Sequence, residues 1–328
     1  MRIAIIGAGI SGLFLANRLS ESATVTVFEK SRGVGGRMST RYADPYYFDH
    51  GALYFTAHSA SFKDFLAPHL HSGVVSTWEG NVAHLQADQP NTIYSFDDYF
   101  SEPVFVASPN MNSLCKALAQ GLNICLCTEI APLDDRNNGV WRLKDTHNRD
   151  LGEFDWVIST APFLQTSRLF SQFLGLKGVE DSSLIQCAFS LMIGSNQAWT
   201  QNWQLGFAQD STVSIVSVNS SKPQRNSTTT SLVIQSHLDW AHTHIDADLG
   251  WVQSVLLNDL IKLTHLDSRG FDYVSLHRWR YSRMDAFENL GSCIDMSLNL
   301  AISCDGFSDS SIESRWRHAE ALVQKLDL

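Results

Sequence analysis

Three glycines and one acid near the start of the chain carry the first readable chemistry. Gly7, Gly9 and Gly12 stand as G-x-G-x-x-G directly after the apolar run IAII, and Glu29 closes the next apolar run, ATVTVFE. In this setting the first glycine permits a tight turn and the second lets the backbone approach a pyrophosphate. The third lets helix and sheet pack closely. The N-terminus of the helix that follows attracts negative charge. A carboxylate ending the second strand accepts hydrogen bonds from ribose hydroxyls and repels a 2′-phosphate. The pattern predicts a dinucleotide site and leaves NAD and FAD both open.

A second cluster follows at once: Gly33, Gly35, Gly36 and Arg37, in EKSRGVGGR. In an NAD-type unit the chain would turn into its next helix here. A flavin dinucleotide is longer, and glycines let the backbone pass its ribityl chain and ring without a Cβ clash. Arg37 brings a planar, permanently charged group able to reach a phosphate or the flavin edge. The second cluster therefore favours FAD.

These residues need a strand, a helix and a strand to position them. IAII reads as a strand, SGLFLANRLS as a helix and ATVTVFE as a second strand, which makes a βαβ unit and a parallel sheet. Leu114, Leu118 and Leu122 recur at helical spacing, NICLCTEIAPL alternates as a strand, and GVWRLKDTHNRDLGEFDWVISTAP reads as a hairpin running into a buried strand. The middle of the chain changes character. SLIQCAFSLMIG, TVSIVSVN, SLVIQSHL and FDYVSLHRWRYS read as strands, interrupted by one helix, LGWVQSVLLNDLIKL, so a mostly antiparallel layer is inserted into the α/β domain. NSSKPQRNSTTTS reads as a long turn between two of those strands. LNLAIS reads as one more strand. A helix from about Ile312 follows, with Ile312, Trp316, Ala319, Val323 and Leu326 as its apolar stripe and Ser310 with Glu313 as a capping box.

Bulk properties narrow the function classes. The 328 residues are 44% hydrophobic and 18% charged, enough for a sizeable core, so disorder is excluded. A net charge of −10 without a basic run argues against nucleic acid and anionic membranes as partners. No segment has the apolar length of a membrane span. The apolar start is read as a strand and ligand-binding turn, not as a signal peptide. Six cysteines are scattered without a disulfide framework, which fits a cytoplasmic protein with reduced thiols.

Taken in order, GAGISG, EKSRGVGGR, FDHGALYFTA, HRWRYS and CDGFSDSSIESRW resemble the renalase-like branch of the FAD-dependent amine oxidase superfamily, over nearly the full length. The resemblance implies a Rossmann-type FAD-binding domain of the glutathione-reductase-like, amine-oxidase kind, built from residues 1–75, 102–167 and 285–328. A mostly antiparallel β substrate domain would comprise 76–101 and 168–284. It implies that Gly7, Ala8, Gly9, Ile10, Ser11 and Gly12 meet the pyrophosphate, and that Glu29, followed by Lys30, meets the adenosine ribose. Gly36, Arg37 and Met38 would flank the flavin, while Gly51, Ala52 and Leu53 pass close to its ring. Ile130 would bond the adenine through its backbone, and Asp305 would hold ribityl or pyrophosphate hydroxyls. Ile312 and Glu313 would start a helix under the flavin pyrimidine, where a helix N-terminus stabilises negative charge.

The chain departs from the family pattern at Leu53, where glutamine is usual, and at Cys304 and Ser314, where glycines are usual. Leucine offers no hydrogen bond, so Leu53 bears on substrate identity. Tyr54, Phe55, His277, Trp279 and Tyr281 are candidates for the substrate pocket; the last three share one face of a strand, with Arg278 and Arg280 on the other. His237, His242 and His244 superficially resemble a metal cluster, but they read as surface or capping histidines and no metal is expected. The implied activity is hydride transfer from a small reduced donor, an isomer of dihydro-NAD(P), to non-covalently bound FAD, with reoxidation by oxygen in a monomer or homodimer. No dedicated catalytic residue is required. A flavin amine oxidase and a non-catalytic FAD-binding redox sensor are the alternatives.

Overall fold

The computed structural model describes residues 1–134, 136–173, 185–284, 294–304 and 311–326. The chain forms two compact units. The first comprises Met1–Arg37, Cys115–Ile185 and Arg283–Leu328, and the second Met38–Leu114 and Gln186–Ser282. Residues 38–75 and 102–114 thus group with the second unit, because the strands they form pair among themselves and with its elements.

The first unit is built on a six-stranded sheet. In spatial order its strands are Ile294–Asp295, Leu300–Ile302, Trp156–Ser159, β1 (Arg2–Ile6), β2 (Thr24–Phe28) and Asn123–Cys125. All neighbours run parallel except the edge pair formed by the first two. β1 is central, with Ile3 opposite both Val25 and Trp156, which is why its residues Ile3–Ile6 are apolar and buried. Helix α1 (Ile10–Leu19) links β1 to β2 and is buried over most of its circumference. The helix Ile312–Leu326 packs against α1 and buries Ile312, Ala319, Leu322 and Leu326. Its cap lies at Ser311, whose hydroxyl accepts from the Ser314 amide at 3.1 Å; the expected partner Ser310 lies outside the described residues. The hairpin Trp141–Lys144 with Asp150–Phe154 runs into the buried strand Trp156–Ser159, as its alternation predicts.

The second unit holds a seven-stranded sheet in the order Tyr273–Met284, Ile185–Ser195, Thr230–Ser236, Val213–Val218, Leu205–Ala208, Asn81–Leu85, Thr92–Ser95. Its central pairs are antiparallel, and Leu205–Ala208 pairs with Asn81–Leu85 in parallel. The helix Leu249–Thr264 lays Val252, Leu256, Leu260 and Leu263 on one face of this sheet, forming a core with Phe189, Leu191, Val216 and Ile234. Asp248 caps that helix by accepting from the Trp251 amide at 2.9 Å. A short hairpin, Arg41–Ala43 with Tyr46–Phe48, leads into the segment around His50. That hairpin and the strands Asn81–Leu85, Thr92–Ser95 and Leu205–Ala208 are too short for periodicity to reveal. Among the described residues, no helix is long and apolar enough to cross a membrane.

Candidate functional site

In the first unit the three glycines of the first motif have three different reasons to be glycine. Gly7 has φ +108°, a conformation that L side chains rarely adopt, and an added Cβ would lie 2.7 Å from Thr160 Oγ1. At Gly12 a Cβ would lie 2.0 Å from the Gly7 carbonyl oxygen, so the third glycine serves close helix–turn packing. Gly9 has neither constraint. Its φ of −75° and ψ of 179° suit any residue, and among the described residues no atom beyond its own chain neighbours lies within 4 Å of its virtual Cβ. The space it leaves is in front of α1, whose N-terminus has no side-chain cap and no acid in its first turn. The first amides of a helix lack intrahelical partners, so α1 presents donors and a positive dipole end to that space.

Glu29 is buried beside this turn. One carboxylate oxygen accepts from the Ala8 amide and the other from the Ser31 amide, each at 2.8 Å. A carboxylate offers about four lone-pair sites, so acceptor capacity remains for a ribose diol. The second glycine cluster docks on the first: the Gly35 amide donates to the Ala8 carbonyl at 2.9 Å, Gly35 bridges Gly9 in parallel, and Gly36 (φ +52°) has its virtual Cβ 3.3 Å from Gly9 Cα. Residues 33–37 therefore extend the first turn as one glycine surface, and Arg37 is half-buried at its end.

Ile130 forms an antiparallel bridge with Asp145, but the bonds are made by its neighbours: Ala131 donates to Lys144, and Thr146 to Glu129, both at 2.9 Å. Such a pair turns the amide and carbonyl of Ile130 itself away from the hairpin. Lys30 is exposed and donates to Gln165 at 3.2 Å. Ile10 and Ser11 are buried in the first turn of α1. Ile312 and Glu313 are buried at the start of their helix, and Asp305 lies outside the described residues. Cys304 is buried, with its carbonyl accepting from Arg315 at 2.9 Å.

In the second unit the segment after the hairpin is pinned through its carbonyls. That of His50 accepts from Ser190 Oγ at 2.7 Å and Trp279 Nε1 at 2.9 Å, and that of Gly51 accepts from Gln235 Nε2 at 2.6 Å. Gly51 and Ala52 stay half-buried. Leu53 packs into an apolar cluster with Tyr46, Phe48, Met192 and Val233, a place that suits leucine better than glutamine. Met38 is buried. Phe55 turns into the core, exchanging two backbone bonds with Phe105, whereas Tyr54 is half-buried against Phe100 and burial pushes its phenol up. His277 and Trp279 share a strand face as expected and close around His50, with ring centroids 4.8 and 5.2 Å from it. Tyr281 is half-buried farther along that strand. On the other face, Arg278 donates to the Ala247 carbonyl and Arg280 pairs with Asp246. His237 and His244 serve as helix caps; their rings bond the Ala208 and Trp240 carbonyls at 2.9 and 2.8 Å.

Sequence reading missed the strongest electrostatic feature of this unit. Asp49 is fully buried and accepts from Thr40 Oγ1 (2.8 Å), the Met111 amide (2.9 Å), Lys222 Nζ (3.0 Å) and Arg225 (2.7 Å). Burial opposes its charge, but the two cations and the hydrogen bonds hold the carboxyl well below the usual range. Burial pulls Lys222 down to about 8, against the pull of Asp49. His50 is depressed to about 4 by burial and by the neighbouring His277 and Arg41, and His277 is lowered by burial and Arg41. The only local hint was two cations inside an otherwise neutral polar turn, NSSKPQR.

Residues 5–68 match the NAD(P)-binding Rossmann-like domain family. Over 77 residues the chain is 39% identical to a 4,4′-diapophytoene desaturase of Staphylococcus aureus, a match covering 20% of this chain and only 15% of the desaturase. Across 99% of its length the chain superposes on an oxidoreductase from Methanosarcina mazei, covering all of that chain (TM-score 0.75, 13% identity). It also superposes on putrescine oxidase bound to putrescine, with 99% of both chains covered (TM-score 0.70, 14% identity). The chain thus carries a Rossmann-type dinucleotide-binding domain within the fold of amine-oxidase-type oxidoreductases.

Proposed function

We propose that this protein is an FAD-dependent oxidoreductase that oxidises a small hydride donor, an isomeric dihydronicotinamide dinucleotide of the kind its renalase-like motifs suggest. The observation carrying the reading is Gly9, a glycine that the protein itself does not require. It faces open space at an uncapped helix N-terminus and is continued by a second glycine turn bonded to the first. A nicotinamide dinucleotide has no use for the second turn, whereas a riboflavin-bearing dinucleotide runs along it. In this reading the first amides of α1 hold the pyrophosphate and Glu29 holds the adenosine ribose. Ile130 offers its amide and carbonyl to the adenine, and Arg37 and the start of the helix Ile312–Leu326 stabilise negative charge on the ring. Cys304 is buried and serves as a structural thiol, so the cofactor is held without a covalent link. FAD, when bound, supplies the hydride acceptor and the route to oxygen. The chain's own part is to bind, orient and exclude water.

A second reading, oxidation of an amine, is supported by the shared fold with putrescine oxidase. A visible spectrum of the purified protein tests the cofactor, and anaerobic mixing with donors tests the substrate. Bleaching of the flavin by dihydronicotinamide isomers and not by amines is the expected result. Bleaching by amines alone establishes the second reading, and colourless protein that takes up no added FAD refutes both.

A further inference from the structure

The second unit gathers charged groups on the two sides of one hairpin and the segment after it. Arg41 and Phe48 are directly opposite across their hairpin, so their side chains share a face, and His50 continues it two residues beyond Phe48. Asp49, between them, turns to the other side, where Lys222 and Arg225 take up its charge. The strand Tyr273–Met284 contributes to the same layer. Tyr273 stacks on Phe48 at 5.3 Å, and His277 stands edge-on to His50. Asp272, beside Tyr273, accepts from Tyr46 and from the Asn196 amide. Arg41 is exposed and, among the described residues, forms no ion pair; His277 is half-buried. Three cations (Arg41, Lys222, Arg225) thus stand against two carboxylates, Asp49 and Asp272, which leaves one positive charge over in a chain whose net charge is −10.

We propose that this face recognises an anionic group on the substrate, a carboxylate or a phosphate, with Arg41 as its charged contact and His277 as a hydrogen-bonding partner beside it. The inference rests on the reading that the protein acts on a small reduced substrate, and it deepens that reading: the site disfavours cationic amines. A guanidinium facing solvent attracts an anion and repels an ammonium, and an imidazole N–H beside it adds a hydrogen bond. Lys222 and Arg225, locked behind Asp49, raise the potential without touching the ligand.

The test is equilibrium binding to FAD-loaded protein by calorimetry, using three pyridines of equal size: nicotinate, nicotinamide and 3-(aminomethyl)pyridine. Nicotinate is expected to bind about tenfold more tightly than nicotinamide, as one charge-assisted contact supplies, and 3-(aminomethyl)pyridine more weakly still. Arg41→Gln is expected to bring the nicotinate affinity down to that of nicotinamide for the same variant, while Arg41→Lys keeps part of the preference. Competition by inorganic phosphate or by acetate tells which anion the face accepts. Equal affinities for the three pyridines, or a nicotinate preference that survives Arg41→Gln, overturns the proposal. Flavin bleaching by a neutral donor without any anion preference refutes this face alone. Anion preference without bleaching by any donor refutes the oxidoreductase reading alone.

Discussion

Gly9 and Gly12 stand three residues apart and are expected to fail in opposite ways when changed to alanine. At Gly9 the backbone (φ −75°, ψ 179°) already suits alanine, and among the described residues the new methyl meets no atom beyond its chain neighbours within 4 Å. Gly9→Ala should therefore leave the apo-protein as stable as before, or raise its stability by about 0.4–1 kcal/mol through the unfolded chain. The methyl does fill the space in front of α1 where a pyrophosphate must approach. Displacing a phosphate from one helix amide forfeits a charge-assisted hydrogen bond of about 1.5–3 kcal/mol, which is roughly a 10- to 150-fold loss of FAD affinity. Gly12→Ala puts its methyl 2.0 Å from the Gly7 carbonyl and 2.9 Å from Thr160 Oγ1, so turn and helix must part, at a cost of about 1–3 kcal/mol of fold stability. Denaturant unfolding of both apo-proteins, paired with FAD titration followed by flavin fluorescence, separates the two effects. A Gly9→Ala protein that binds FAD like the parent, or that loses stability in the apo state, refutes the assignment of that space to the cofactor.

Three further outcomes follow from the buried groups. Asp49→Asn leaves Lys222 and Arg225 without their counter-charge and should cost about 3–5 kcal/mol in denaturant unfolding, far more than a surface carboxamide swap. His50 is held at about 4 in the fold against an ordinary 6.5, so between those values the unfolded chain binds more protons. Stability should fall by up to roughly 3 kcal/mol as pH drops from 6.5 toward 4, and His50→Phe should remove that part of the decline while leaving the Asp49 contribution, which weakens as pH falls below the usual carboxylate range. Burial pushes the Cys115 thiol up to about 12 while Cys127 is exposed, so native-state alkylation followed by peptide mapping should label Cys127 well before Cys115.

Much of the first unit was legible before any coordinates. The βαβ unit, its glycines and Glu29 were readable because a tight turn, a helix start and an acid at a strand end are decided within a few residues of one another. The hairpin at 141–154 and the helix 249–264 were readable because their apolar periods are long enough to count. Other parts were not. The expected helix around Leu114–Leu122 shrinks to Ser113–Leu118, since Gly121 at φ +79° turns the chain, and the three-to-five-residue strands at 41–48, 81–85 and 205–208 left no usable period. Phe55 stood beside Tyr54 as a pocket candidate, yet alternation along the chain sends one inward and leaves the other half-buried.

By itself, the order of residues determined that a dinucleotide turn exists and that a second glycine turn extends it, because backbone freedom and strand endings are local properties. Which charges meet was decided only by the tertiary structure. Asp49 finds Lys222 and Arg225 at separations of 173 and 176 residues, and His50 finds Trp279 at 229. Coulomb energy and desolvation depend on distance and burial in space, and those are set by which strands become neighbours in a sheet.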